Sequence, residues 1–250
     1  MNKDDYKLVE KAFNDYYENY KDNSNNIILK YNHSYNVAKL MEELADRLYL
    51  SDEEKYLAKT IGLLHDIGRF EQLKEFDSFS DKLLDHADYG CKYLFKEKHI
   101  RDFIKDDKYD HIINKAIFNH SKLKIEDNLD EEELFFSKMI RDMDKVDIYY
   151  QSGVWFNQEF IDKPTKKVVD LFFKGVGIPN KDRKNKSDGV ILCMSYLNDI
   201  NFKETYEILK ETDNLGFYLS CVDVSKENEE IWSKLRDRCI SIMDEEIINE

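Results

Sequence analysis

Apolar side chains recur at helical spacing along most of the chain. The clearest stripe has apolar residues at i, i+3, i+4, i+7 and i+11, which is typical of an amphipathic helix. Its members are Val37, Leu40, Met41, Leu44 and Leu48. The same spacing predicts helices over 4–21, after Tyr31-Asn32-His33-Ser34 as far as residue 48, and then over 51–66, 84–94, 112–120 and 130–147. No stretch alternates as a β-strand does, so the predicted fold class is all-α.

Two segments break this pattern. Residues 70–84 mix phenylalanines with acids and serines, and we expect a loop or short turns there. After residue 152 the chain carries a basic loop at 174–189 and no chemical motif, with helices predicted near 164–172, 189–198, 202–212 and 226–247. We therefore predict an N-terminal helix over 1–25 that packs on the core, a core domain over 26–151 and a C-terminal helical extension over 152–250.

Composition limits the class of protein. The chain has 250 residues, a net charge of −14, and no apolar run long enough to span a bilayer, so we expect a soluble, cytoplasmic protein. The acidic balance disfavours extended nucleic acid as a partner, but a small phosphorylated substrate remains compatible with a metal centre. The cysteines form no CxxC pair, which argues against a thiolate zinc site. A homo-oligomer stays open.

Four of the six histidines lie at an end of an apolar helical face, and two aspartates occupy comparable positions. They are His33, His65, His86 and His120, with Asp66 and Asp144. A single histidine of this kind is more often a hydrogen-bonded core residue than a ligand. Six buried polar groups need a compensating partner, because each unpaired one costs about 1–3 kcal/mol. Imidazole and carboxylate both bind first-row metals, and a metal pair would remove that cost.

Other polar residues near this set have weaker signals. Gly68 follows the His-Asp pair and is expected to let the chain turn. Arg69 falls one turn after His65, on the same side of the helix. A contact to a substrate phosphate is about as favoured for Arg69 as an ordinary surface salt bridge. Lys145 follows Asp144 and is a second, less favoured candidate for substrate binding. We expect His99 and His111, which lie among charged residues, to be on the surface.

These residues, in this order, resemble the HD-domain superfamily of metal-dependent phosphohydrolases. The segment LLHDIGR at 63–69 looks like the central signature, and IRDMDKVD at 140–147 looks like the last motif. Met143 replaces the usual alanine there. The segments DHADYG and IFNHSK are similar to those of the subset that binds two metals. The resemblance covers roughly residues 26–150.

The resemblance implies an all-α, multi-helix HD-domain bundle, with the C-terminal helices as an additional layer. It implies that His33, His65, Asp66 and Asp144 hold one metal, and that Asp66 bridges to a second. His86 and His120 would complete the second site. The expected cofactors are two divalent ions, from among Mn, Fe, Co, Ni or Zn and less favourably Mg.

The implied activity is hydrolysis of a small phosphate ester or anhydride, with a nucleotide as the favoured substrate. A metal-bridged hydroxide would attack phosphorus, and Asp66 and Arg69 would be catalytic. Arg69 and Lys145 would bind substrate. Two alternatives stay open at this point: a di-iron oxygenase of the same superfamily, and a nucleotide-sensing module with little turnover.

Overall fold

The computed structural model describes residues 1–156, 160–161, 163–224 and 226–248. Its contacts divide the chain into two compact units, Met1–Asp144 and Lys145–Glu250. The described chain is predominantly helical, and the prediction of an all-α fold is confirmed. This division falls after Asp144. The domain boundary that the sequence predicts after residue 151 is a separate statement and stays a prediction.

The N-terminal unit is built from short and medium helices around an apolar core. They are α1 Lys3–Tyr17, α2 Asn25–Arg47, α3 Asp52–Leu64, α4 Ile67–Phe76, α5 His86–Cys91, α6 Ile100–Phe103, α7 Asp110–Asn119 and the first part of α8 Glu131–Phe156. A π-helical turn, Lys92–Lys96, follows α5. Helices α2 and α3 pack along each other, and Met41, Leu44 and Ile61 are fully buried.

Helix α2 begins earlier than the sequence predicts. Ser24 is its N-cap, and the Ser24 side chain accepts a hydrogen bond from the backbone N–H of Asn26. His33 therefore lies inside α2 on the same buried face as Val37 and Met41, and not before the helix. The polar segment at 22–26 concealed the start, because an Asn-rich run is more typical of a break than of a first helical turn.

The loop predicted over 70–84 is wrong for its first half. Helix α4 continues to Phe76 and ends at Asp77, which has a left-handed backbone with φ of 43°. Ile67, Phe70 and Leu73 are buried and form a stripe at i, i+3 and i+6. Acidic and basic residues between them masked this period.

Gly68 is also misassigned as a turn residue, because it lies within α4. A Cβ atom at Gly68 would lie 2.1 Å from the carbonyl oxygen of His86 and 2.8 Å from the backbone nitrogen of Gly90. The absence of a side chain thus lets α4 and α5 approach each other closely.

The C-terminal unit has its own core around Trp232, Tyr149 and Tyr218. It contains α9 Lys166–Phe173, α10 Lys186–Ser195, α11 Lys203–Thr212, α12 Asn214–Ser220 and α13 Glu229–Ile248, with 3₁₀ turns at Asn180–Asp182 and Tyr196–Asp199. Helix α10 begins inside the predicted basic loop, where Asn185 caps it.

The C-terminal unit also holds a short pair of strands that the sequence analysis missed. Strand β1, Phe160–Ile161, pairs in parallel with β2, Asp223–Val224, and the partners are Phe160 with Asp223 and Ile161 with Val224. Strands of two residues are too short to show alternation. Among the described residues no helix has the length and apolar character needed to cross a membrane.

Candidate metal centre

The structure brings together the six residues predicted as metal ligands, although they come from five separate places in the chain. Each is at most 9% exposed. They are His33 in α2, His65 directly after α3, Asp66 at the N-cap of α4, His86 at the start of α5, His120 directly after α7 and Asp144 in α8. Helix ends, together with positions inside α2 and α8, thus converge on one buried cluster.

One oxygen of Asp66 faces the first half of this cluster. Asp66 Oδ2 lies 3.6 Å from Nε2 of both His33 and His65. Asp144 Oδ1 lies 3.1 Å from His33 Nε2 and 3.6 Å from His65 Nε2. Two imidazole nitrogens and two carboxylate oxygens therefore surround one point.

The other oxygen of Asp66 faces the second half. Asp66 Oδ1 lies 3.2 Å from His86 Nε2 and 3.5 Å from His120 Nε2. The two Nε2 atoms of these histidines are 2.9 Å apart. Asp66 stands between the two groups and presents one oxygen to each.

Backbone and side-chain acceptors fix how the histidine rings are oriented. His65 Nδ1 lies 2.7 Å from the carbonyl oxygen of Gly62, and His120 Nδ1 lies 2.6 Å from that of Ile117. Because a carbonyl only accepts, Nδ1 carries the proton in both rings. His86 Nδ1 donates in the same way to Asp81 Oδ1 at 2.7 Å. The Nε2 lone pairs of these three histidines therefore point into the cluster.

This donor set fits cations better than it fits any internal hydrogen-bond network. In the neutral Nδ1–H tautomers, the Nε2 lone pairs of His86 and His120 face each other at 2.9 Å, and Asp66 Oδ1 lies 3.2 Å from His86 Nε2. Ligands on adjacent octahedral positions at about 2.1 Å from a metal are about 3.0 Å apart, close to these separations. Three groups within the described residues have the spacing of a metal site: His33, His65 and Asp66; His65, His120 and Asp144; and Asp66, His86 and His120.

Comparison with known families tests the resemblance drawn from the motifs. The sequence profile of the HD domain matches residues 31–148. Residues 31–148 are therefore similar to an HD domain. All six clustered residues lie inside the matched range, and the resemblance drawn from the sequence motifs is confirmed. Comparison with curated proteins and with solved structures gives no match.

The carboxylates of the HD-domain cluster are held in their charged form. Burial raises the pKa of Asp66, but the positive charge of Lys30 and the facing histidines outweigh it, and the pKa lies well below its ordinary value. Burial likewise raises the pKa of Asp144, but the facing His33 and His65 lower it by more, so it lies well below its ordinary value. Burial lowers the pKa of His120 to about 4, which keeps its ring neutral at pH 7. Neutral imidazole and ionised carboxylate are the forms that bind metals.

Arg69 lies beside the cluster in α4. Its Nε is 3.7 Å from Asp66 Oδ1, and its Nη1 donates to Gln72 Oε1 at 2.6 Å, to the carbonyl oxygen of Phe79 at 3.2 Å and to Asp81 Oδ1 at 3.0 Å. The structure thus places Arg69 where the sequence predicts it, and its role in catalysis stays a prediction.

Lys145 belongs to the C-terminal unit, where its ammonium pairs with Asp199 Oδ2 at 2.6 Å. Its predicted part in substrate binding stays a prediction. His111 is exposed, and the half-exposed ring of His99 donates to Asp102 Oδ2 at 2.9 Å. Neither belongs to the clustered groups.

Sequence reasoning missed two residues that touch the cluster. Lys30 Nζ lies 2.6 Å from Asp66 Oδ2, and the Lys30 side chain is only 11% exposed. Its position one turn before His33 on the same helix was an available signal. Asp81 accepts from His86 and Arg69, and its pKa, raised by burial, is lowered to about 2 mainly by His86. It lies in a loop of mixed composition, where no periodic pattern could have revealed it.

Proposed function

We propose that this protein is a metal-dependent hydrolase that cleaves a phosphate ester or anhydride in a small substrate, with a nucleotide as the favoured class. The match of residues 31–148 to the HD domain supports this proposal, because that domain suggests the superfamily of metal-dependent phosphohydrolases. The observation that carries the proposal is the division of the Asp66 carboxylate, one oxygen toward His33 and His65 and the other toward His86 and His120. This division supports two neighbouring ion sites that share one carboxylate.

The residues of the cluster have separate parts in this proposal. His33, His65 and Asp144 would hold one divalent ion, His86 and His120 a second, and Asp66 both. Such ions supply a hydroxide at neutral pH and neutralise charge on phosphoryl oxygens. The Nδ1 hydrogen bonds of His65 and His120 to backbone carbonyls keep their Nε2 lone pairs directed into the site.

Arg69 binds and orients the substrate in this proposal. Its Nη1 hydrogen bonds fix the guanidinium beside Asp66, which avoids the entropy cost of ordering a long side chain when substrate binds. Within the described part of the chain, Nε of Arg69 is buried and has no hydrogen-bond acceptor. A phosphoryl oxygen is the acceptor that this donor suits best.

Elemental analysis of protein purified without added metal or chelator tests the proposal first. We expect close to two transition-metal ions per chain, followed by phosphate release from members of a nucleotide and phosphoester panel with Mn. In Asp66→Ala both the metal and the activity should be lost together, because this residue faces both sites. The surface variant Asp102→Ala, which removes an acid that contacts His99, is the matched control and should keep both.

Other outcomes separate the alternatives. Iron in both sites with oxygen consumption and no phosphate release would favour the oxygenase. Tight nucleotide binding without product would favour a sensing module. An Asp66→Ala variant that retains both ions and full turnover would refute the proposed site.

A further inference from the structure

Two cationic side chains reach the Asp66 carboxylate from different helices. Lys30 extends from α2 and places Nζ 2.6 Å from Oδ2. Arg69 extends from α4 and places Nε 3.7 Å from Oδ1. The side chains of Lys30 and Arg69 are 11% and 12% exposed, so both charges are largely withdrawn from water at the proposed metal centre.

One aromatic ring lies against both cations. Lys30 Nζ lies 5.9 Å from the centre of the Phe79 ring, and the Arg69 guanidinium carbon lies 5.8 Å from it. The carbonyl oxygen of Phe79 also accepts from Arg69 Nη1. The loop after α4 therefore holds the two cations beside the same ring, where cation–π attraction favours their present positions.

The two cations are anchored differently. Nη1 of Arg69 has three acceptors in Gln72, Phe79 and Asp81. The ammonium of Lys30 instead bonds to Asp66 Oδ2, the oxygen that faces His33 and His65. An ion held by those histidines would draw on the same oxygen. Lys30 would then need a further anionic acceptor within reach, and the substrate is the group that brings one.

We propose that Lys30 is a second substrate-binding cation, which together with Arg69 selects a terminal, dianionic phosphoryl group: a monoester or the end of an anhydride chain, not a diester. This inference rests on the proposed function and adds the substrate class. A terminal phosphoryl group has three acceptor oxygens and up to two negative charges. A diester has two free oxygens and one charge, so it offers fewer acceptors and less charge to two metal ions, Lys30 and Arg69 than a terminal phosphoryl group does.

Phosphate binding tests this without relying on turnover. The affinity of the full-length, Mn-loaded protein for inorganic phosphate is measured by calorimetry at pH 7.5, and dimethyl phosphate serves as the diester probe. Lys30→Met should weaken phosphate binding about tenfold or more, since a charge-assisted hydrogen bond is lost. Its effect on dimethyl phosphate should be smaller. Lys30→Arg, which keeps the charge, should retain most of the affinity for phosphate.

Lys59 provides a matched control. Its Nζ pairs with Glu42 Oε2 at 2.8 Å and lies against the rings of Tyr6 and Tyr56, none of which belongs to the six clustered residues. Lys59→Met should leave phosphate binding unchanged. All variants are compared for metal content and melting temperature.

The outcomes distinguish this inference from the proposed function. Wild-type protein that takes up no metal would refute both together. Wild-type protein that binds metal and phosphate, with Lys30→Met binding phosphate equally well, would overturn only the role of Lys30. Loss of metal in Lys30→Met, or an equal loss of affinity for the diester probe, would also overturn it, because Lys30 would then only support Asp66 or attract any anion.

Discussion

Replacing Gly68 with alanine changes the contact between the helices that carry Asp66, Arg69 and His86. The added methyl group would lie 2.1 Å from the carbonyl oxygen of His86 and 2.8 Å from the backbone nitrogen of Gly90. Both neighbours are backbone atoms, so no flexible side chain can give way. Ordinary contact begins at 3.4 Å, which means that α4 and α5 must separate by about 1 Å.

The expected consequence is a selective loss of the second ion site. Overpacking of this kind costs typically about 1–3 kcal/mol of folding stability. His86 is the first residue of α5 and moves with it, whereas His33, His65 and Asp144 lie on other elements. A displacement of about 1 Å is enough to loosen a ligand constellation. We expect bound metal to fall from two ions toward one.

Elemental analysis and urea unfolding of the metal-free protein measure the two effects separately. Gly189→Ala is the matched control, because Gly189 lies in α10 and a Cβ there meets no atom within 4 Å. That variant should be neutral or stabilised by up to about 1 kcal/mol, as expected for alanine in a helix. A Gly68→Ala protein with two bound ions and wild-type stability would refute the reasoning.

Two further substitutions and one pH dependence test individual residues of the site. Arg69→Ala should lower kcat/KM for phosphate esters about tenfold or more with metal content intact, and unchanged turnover would return Arg69 to a structural role. Asp81→Asn should weaken the second ion about tenfold, because His86 loses its charged Nδ1 partner, while Asp102→Asn, at the surface pair with His99, should not. Burial lowers the pKa of His120 to about 4, below its unfolded value of about 6.5. The contribution of His120 to the stability of the metal-free protein should therefore be complete above pH 6.5. It should fall by up to about 1.4 kcal/mol per pH unit as the pH drops from 6.5 toward 4. Urea unfolding midpoints measure this, and equal midpoints at pH 7.5 and 5.5 would contradict it.

The sequence was sufficient to predict the helices with clear apolar stripes and the convergence of the six clustered residues. His65, His86 and His120 each stand at the end or start of a helix whose buried face is readable from the spacing, so their convergence could be inferred. The sequence was insufficient to predict α4, because charged residues separate Ile67, Phe70 and Leu73 and conceal their helical spacing. The start of α2 was missed because the Asn-rich run around its Ser24 cap is more typical of a break than of a first helical turn.

Contacts between residues distant in sequence could not be read from any pattern. Asp81 meets Arg69 and His86 only because the loop after α4 returns across that helix. The role of Gly68 also depends on such a return: its missing side chain matters because α5 lies against it. Spacing shows which side of a helix is buried, but not which backbone atom will lie opposite.

The position of Asp66 explains why a single carboxylate can serve both halves of the cluster. It is the N-cap residue of α4, yet its side chain makes no capping hydrogen bond. An N-cap side chain typically contributes about 1 kcal/mol, so this stabilisation is forgone here. In exchange, Oδ1 and Oδ2 both remain directed at histidine nitrogens. The positive end of the α4 dipole still favours the carboxylate's charge there, so the helix that Asp66 begins helps to keep it ionised without occupying either oxygen.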